Sequence, residues 1–162
     1  MYLLDANVLI DANRDYYPID RVPEFWIWLL EMGKAGHIKI PEEIYEEIAA
    51  GNDELAKWAK LSETEDALML DEEVDVGLVN HVVSNGYAAD LTDQEIATLG
   101  RDPFLTAYAI AAPNDRIVVT TEGSRPSKRR QNRKVPDVCR DLGARSINTF
   151  QLVRVLDFRT KK

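Results

Sequence analysis

One cysteine, Cys139, excludes an internal disulfide, and with only His37 and His81 beside it the chain has no soft-ligand set at zinc-site spacing. Long apolar runs are missing: Phe25 to Leu30 is the longest, far below the roughly 20 residues of a bilayer crossing. No basic segment precedes an apolar stretch at the start, so a soluble, unexported, cytoplasmic protein is expected. There is no Walker loop, no glycine-rich dinucleotide turn and no Ser-His-Asp order. Positive charge is scarce over most of the chain: residues 1–124 hold 8 Lys/Arg against 25 acids, whereas residues 125–162 hold 12 against 3. The net charge of -8 therefore conceals a balance of −17 followed by +9. Such asymmetry points to an acidic pocket for cations beside a basic surface for phosphates.

What is present is an ordinary globular composition, 45% hydrophobic and 30% charged over 162 residues. That length suits one domain with a substantial core, expected over residues 1–158, with a short basic tail at 159–162. Strand and helix patterns alternate. Tyr2-Leu3-Leu4 is a short buried strand, and Ala6 to Arg14 starts a helix that Tyr16-Tyr17-Pro18 breaks. Phe25 to Met32 is a helix expected to end at Gly33, with Trp26 and Trp28 on different faces, one in the core and one toward a partner or a neighbouring loop. His37 to Ile40 is a second strand, and Pro41 to Ile48 a helix whose Ile44/Ile48 stripe faces inward. Residues 53–60 give a polar helix with Trp58 inward, Ala67 to Leu70 a third strand, and Glu72 to Ser84 a helix closed by Asn85-Gly86. Thr92-Asp93-Gln94-Glu95 is a capping box, and Asp102-Pro103 reads as an N-cap with Pro at the first helical position. Ile117 to Glu122 is a β-branched strand, residues 125–134 a basic loop, Pro136 to Leu142 a helix, Ala144 to Ile147 a strand and Thr149 to Leu156 a final helix. The class is α/β, a three-layer α/β/α domain with a central parallel sheet.

Four acids fall at corresponding places in this scheme. Asp5 and Glu122 follow strands, Glu47 lies on the helix after the second strand, and Asp102 stands at a helix start. In a parallel sheet these points lie on the carboxyl-end rim and can converge on one crevice. Clustered carboxylates raise each other's pKa and call for cations, and an all-oxygen set selects Mg²⁺ or Mn²⁺ over zinc. Beside the loop carrying Arg125, Lys128, Arg129, Arg130, Arg133 and Lys134, such a site suits phosphodiester hydrolysis by metal-activated water. An aspartyl-nucleophile phosphotransferase is excluded, because the second acid it needs two residues after Asp5 is Asn7.

These residues resemble the PIN-domain ribonucleases of toxin–antitoxin pairs, and among them a PIN-like subgroup of the DUF4411 type. The likeness rests on Leu4-Asp5-Ala6-Asn7-Val8-Leu9-Ile10, Tyr16-Tyr17-Pro18, Phe25-Trp26, Ile40-Pro41-Glu42-Glu43-Ile44-Tyr45, Asp102-Pro103-Phe104, Val119-Thr120 and Ile147-Asn148-Thr149-Phe150. Each motif is weak alone; their order along nearly the whole chain is specific. The resemblance implies a Mg²⁺- or Mn²⁺-dependent endoribonuclease, usually dimeric and held inactive by a protein antitoxin. It makes Asp5, Glu47, Asp102 and Glu122 the metal-binding acids, and Asn7 and Thr120 the polar residues that orient the first of them. Glu46 competes with Glu47 for the second position, with the Ile44/Ile48 stripe favouring Glu47. A catalytically silent module that binds RNA or protein is the alternative.

Overall fold

The computed structural model describes residues 1–160; Lys161 and Lys162 of the expected basic tail lie outside the described residues. Its sheet is four-stranded and parallel throughout, in the order β2-β1-β3-β4, from β1 (Tyr2–Leu4), β2 (Ile38–Lys39), β3 (Ile117–Val119) and β4 (Arg145–Ile147). The strands are short and apolar because they are covered on both faces. Leu3, Leu4, Ile38, Val118 and Val119 are wholly buried. The architecture is three-layer α/β/α.

The helices are α1 (Ala6–Asp11), α2 (Pro23–Lys34), α3 (Glu42–Ala49), α4 (Glu54–Ala59), α5 (Ser62–Leu68), α6 (Val76–His81), α7 (Asp93–Leu99), α8 (Asp102–Ala111), α9 (Val135–Asp141) and α10 (Thr149–Val155). Wide π-type turns extend α1 over Ala12–Tyr16 and α6 over Val82–Tyr87. Helix α8 packs on β1 and β3 and α9 on β4, while α2 and α5 pack beside β2. Among the described residues no helix is long and apolar enough to cross a membrane.

Register sets the site. Leu4 lies abreast of Val119, and Val119 abreast of Ile147. The next residues, Asp5, Thr120 and Asn148, therefore emerge level with one another on the carboxyl-end rim. The strand order reverses between β1 and β3, which is where open α/β sheets form their ligand crevice.

Several local expectations are corrected. Ala67 to Leu70 is not a third strand: α5 runs to Leu68, and only a single bridge, Met69 to Ile40, extends the sheet. The acids Glu63 and Glu65 favour the first turn of that helix. Gly33 does not end α2; it lies inside the helix because a Cβ there would stand 2.6 Å from the Ala67 carbonyl oxygen, and the chain turns instead at Gly36, φ +76. Helix α6 begins only at Val76, where Asp75 accepts the Leu78 amide at 3.2 Å. Trp26 and Trp28 are both buried: Trp26 packs edge-on to Trp58 and donates Nε1 to the Tyr17 carbonyl at 2.7 Å, and Trp28 packs on Phe25 and Phe158. Neither tryptophan offers a partner surface.

Candidate active site

Asp5 follows β1 directly, is only 4% exposed, and accepts a hydrogen bond from Thr120 Oγ1 at 2.8 Å. Burial raises its pKa to about 6, with Glu122 and Glu47 adding to the rise and the Thr120 hydroxyl and the Asn7 backbone amide opposing it. Thr120 is thus in hydrogen-bond contact with Asp5. The Asn7 side chain is exposed, and it is the Asn7 backbone that acts on Asp5.

Asp102 is not the N-cap of α8. Arg101 occupies that position, and Asp102 is the first helical residue with Pro103 behind it, so its carboxylate is not committed to capping. Burial again dominates, and together with the charges of Asp5, Glu122 and Glu47 it raises Asp102 to about 7, Lys134 opposing. The two acids are thus desolvated and repel each other, and no Lys or Arg among the described residues pairs with either.

Arg101 separates the two candidate glutamates of α3. Its guanidinium donates to the Glu43 carbonyl at 2.6 Å and to Glu46 Oε2 at 3.0 Å, tying α3 to the start of α8. Glu46 is drawn into this ion pair, whereas Glu47 is the residue whose charge acts on both Asp5 and Asp102. Arg101 was not singled out by sequence reasoning, although it is the only Lys or Arg between Lys60 and Arg116.

Glu122 is engaged more fully than expected. One oxygen accepts from Lys134 Nζ at 2.8 Å and the other from the Val135 amide at 2.9 Å. It closes the far end of the basic loop onto α9.

The basic loop is less free than its composition suggests. Arg130 binds Asp90 at 2.8 Å and both oxygens of Glu95, at 2.9 and 2.8 Å. Arg133 pairs with Asp141, and Lys134 with Glu122. Arg129 donates to the Pro126 and Lys128 carbonyls. Arg125 and Lys128 are exposed, and neither is in a side-chain ion pair among the described residues. A second acid anchors the loop's beginning: Asp137, buried in the first turn of α9, accepts Ser124 Oγ at 2.5 Å and the Arg125 amide at 2.7 Å. Burial works to raise its pKa, but these hydrogen bonds and the charges of Arg140 and Arg133 hold it below the usual carboxylate range. Asp137 also escaped sequence reasoning; its signal is being the first acid after Glu122.

Between these parts lies a cleft of about 350 Å³ lined by Asp102 and Glu122 together with Arg125, Lys128, Arg133 and Lys134. Asp102, which has no cationic partner among the described residues, thus shares one depression with the unpaired Arg125 and Lys128. The donor chemistry, several carboxylates with no sulfur or imidazole, fits a hard divalent cation. Among the described residues no three His, Cys, Asp or Glu side chains are already gathered around a point that could hold one.

The sequence model of the family described as "Domain of unknown function (DUF4411)" matches residues 2–160. No curated protein and no solved structure matches the chain.

Proposed function

Since the chain belongs to the DUF4411 family, whose description assigns no activity, we propose from the site itself that it is a metal-dependent ribonuclease. The observation that carries this reading is the cleft in which Asp102 and Glu122 face Arg125 and Lys128. The likeness to PIN-domain ribonucleases supports it. Asp5, Asp102 and Glu47 would hold a Mg²⁺ or Mn²⁺ ion, with Glu122 at one remove. When bound, that ion supplies an activated water near neutral pH and charge stabilisation at the phosphate. Thr120 fixes the rotamer of Asp5. Arg125 and Lys128 bind backbone phosphates, while Arg130, Arg133 and Lys134 hold the loop that presents them. Burial of Asp5 strengthens the charge interactions made there.

A role as the toxin of a toxin–antitoxin pair, with a protein antitoxin, homodimerisation and a cytoplasmic location, belongs to the same reading through the resemblance. The test is cleavage of a mixed RNA substrate by wild-type and Asp5→Asn protein, freed of any partner, with Mn²⁺, Mg²⁺ or EDTA. Metal-dependent cutting absent from the variant is expected. Cutting that persists in EDTA, or equally in Asp5→Asn, would sink the proposal. The double engagement of Glu122 supports a second reading, a silent module that binds RNA or protein. A Mn²⁺-induced rise in Tm that Asp5→Asn abolishes speaks for the enzyme; no rise in wild type speaks for the module.

A further inference from the structure

The cleft does not end at the carboxylates. A second pocket of about 210 Å³ shares Glu122 with it and extends past Ser124 to Asn148 and Gln151. A third, of about 150 Å³, shares Asn148 with the second and is lined by Tyr16, Thr121, Thr149 and Phe150. The three lie in succession along the carboxyl-end rim, each sharing one lining residue with the next, from the basic loop to an aromatic pair. Tyr16 and Phe150 meet edge to face, with centroids 5.3 Å apart. Each is 48% exposed, where the other rings of this region, Tyr17, Phe25 and Trp26, are packed inward.

The floor of the third pocket carries an independent signal. Thr149 is only 4% exposed, yet its Oγ1 has no hydrogen-bond partner. A buried hydroxyl is normally satisfied, so one left open in a pocket wall is suited to a ligand's polar group. Aromatic rings beside a hydrogen-bonding hydroxyl, on the same rim as phosphate-binding cations, match the chemistry of a nucleobase on its backbone.

We propose that Tyr16 and Phe150 form a base-stacking subsite for single-stranded RNA threaded along this rim, with Thr149 Oγ1 hydrogen-bonding the stacked nucleotide. This rests on the ribonuclease reading and specifies its substrate. A base in a duplex has both faces covered by its neighbours, so only an unpaired nucleotide can stack on these rings. The succession of these pockets from the acid- and base-lined cleft favours RNA over a protein segment as the occupant.

The experiment uses full-length wild-type protein in EDTA, where the ribonuclease reading allows no cleavage, and a 2-aminopurine-labelled single-stranded RNA of about a dozen nucleotides, read by fluorescence on titration. Binding should quench the probe. Tyr16→Ala and Phe150→Ala should each lose about ten-fold in affinity and much of the quench, while Phe150→Trp retains both. Thr149→Val should lose a smaller factor, about three-fold. Affinity for an equally long hairpin duplex should not change. Circular dichroism and Tm establish that each variant folds. If Arg125→Ala weakens binding while Tyr16→Ala and Phe150→Ala do not, the subsite is wrong and the nuclease reading stands. If the parent binds no RNA, both fall. If the ring variants leave RNA binding intact but abolish self-association in sedimentation, the pair is an interface between copies and the proposal is overturned.

Discussion

The acidic rim and the basic loop are built on opposite electrostatic plans. On the rim, Asp5 and Asp102 are desolvated, the charge of Asp5 adds to the rise of Asp102, and neither has a cationic partner among the described residues. On the loop, Arg130, Arg133 and Lys134 each meet a carboxylate, and Asp137 secures the turn that starts it. The charge asymmetry of the sequence points to an acidic pocket beside a basic surface, but not to the ion pairs that engage half of the loop's cations. The rim acids are left short of counter-charge, whereas the loop spends three of its cations on ion pairs that hold it in place.

The largest effect should come from removing charge on the rim. Asp5→Asn or Asp102→Asn should lower RNA cleavage on the order of 10²–10³-fold or more in kcat, because each removes charge at the reacting centre. Activity within a few-fold of wild type, measured as initial rate at saturating substrate, would show that the rim is not the reacting centre. Next, Asp137→Ala should destabilise the protein by about 1–3 kcal/mol in urea unfolding, since it removes the buried carboxylate that accepts from the Ser124 hydroxyl and the Arg125 amide. Arg125 and Lys128 would lose their placement with it, so KM should rise. An Asp137→Ala protein with wild-type stability and KM would mean that the loop does not depend on this anchor.

The two regions should also respond to pH with opposite signs. Carboxyls near 3.8 when unfolded and near 6 and 7 when folded leave the native state holding more protons in between. Stability of the metal-free protein should therefore fall as pH rises from about 4 to about 7, by on the order of 5–7 kcal/mol, and level off above that. Asp102→Asn should remove most of that decline and leave the protein more stable than wild type at pH 8, even though it is inactive. The loop's anchors behave inversely. Glu95, held down to about 2 by Arg130 and the Thr92 amide, and Asp137, also lowered, add stability above the ordinary carboxylate range that is lost as pH falls through their folded values. Urea midpoints from pH 3 to 8 in wild type and Asp102→Asn would separate the two; parallel curves would mean that Asp102 titrates normally. The smallest effect belongs to Lys128→Ala, a few-fold rise in KM with a shallower salt dependence and kcat unchanged.

The parts of this molecule legible in the sequence are those decided by local chemistry. A short apolar strand ending in Asp5, the Asp102-Pro103 helix start and the Thr92/Glu95 capping box depend on neighbours a few residues away, and each lies where the pattern puts it, Asp102 one position inside the cap. What stayed hidden depends on distant partners. Arg130 reaches Asp90 and Glu95, Arg101 reaches Glu43 and Glu46, and Trp28 is covered by Phe158, pairings for which a linear pattern has no signal. For the same reason the third strand was misread: whether Ala67 to Leu70 joins a sheet depends on how much of Ile40 is left to pair with.

The level alignment of Leu4, Val119 and Ile147 has a consequence for change in this chain. Because successive residues of a strand face opposite sides, a one-residue insertion or deletion in β3 would rotate Thr120 away from Asp5 and disturb every contact of that row at once. Apolar residues within the three strands can be exchanged for others of similar volume at modest cost. The spacing from strand to rim admits no such drift, so tolerance here is counted in whole residues rather than in hydrophobicity.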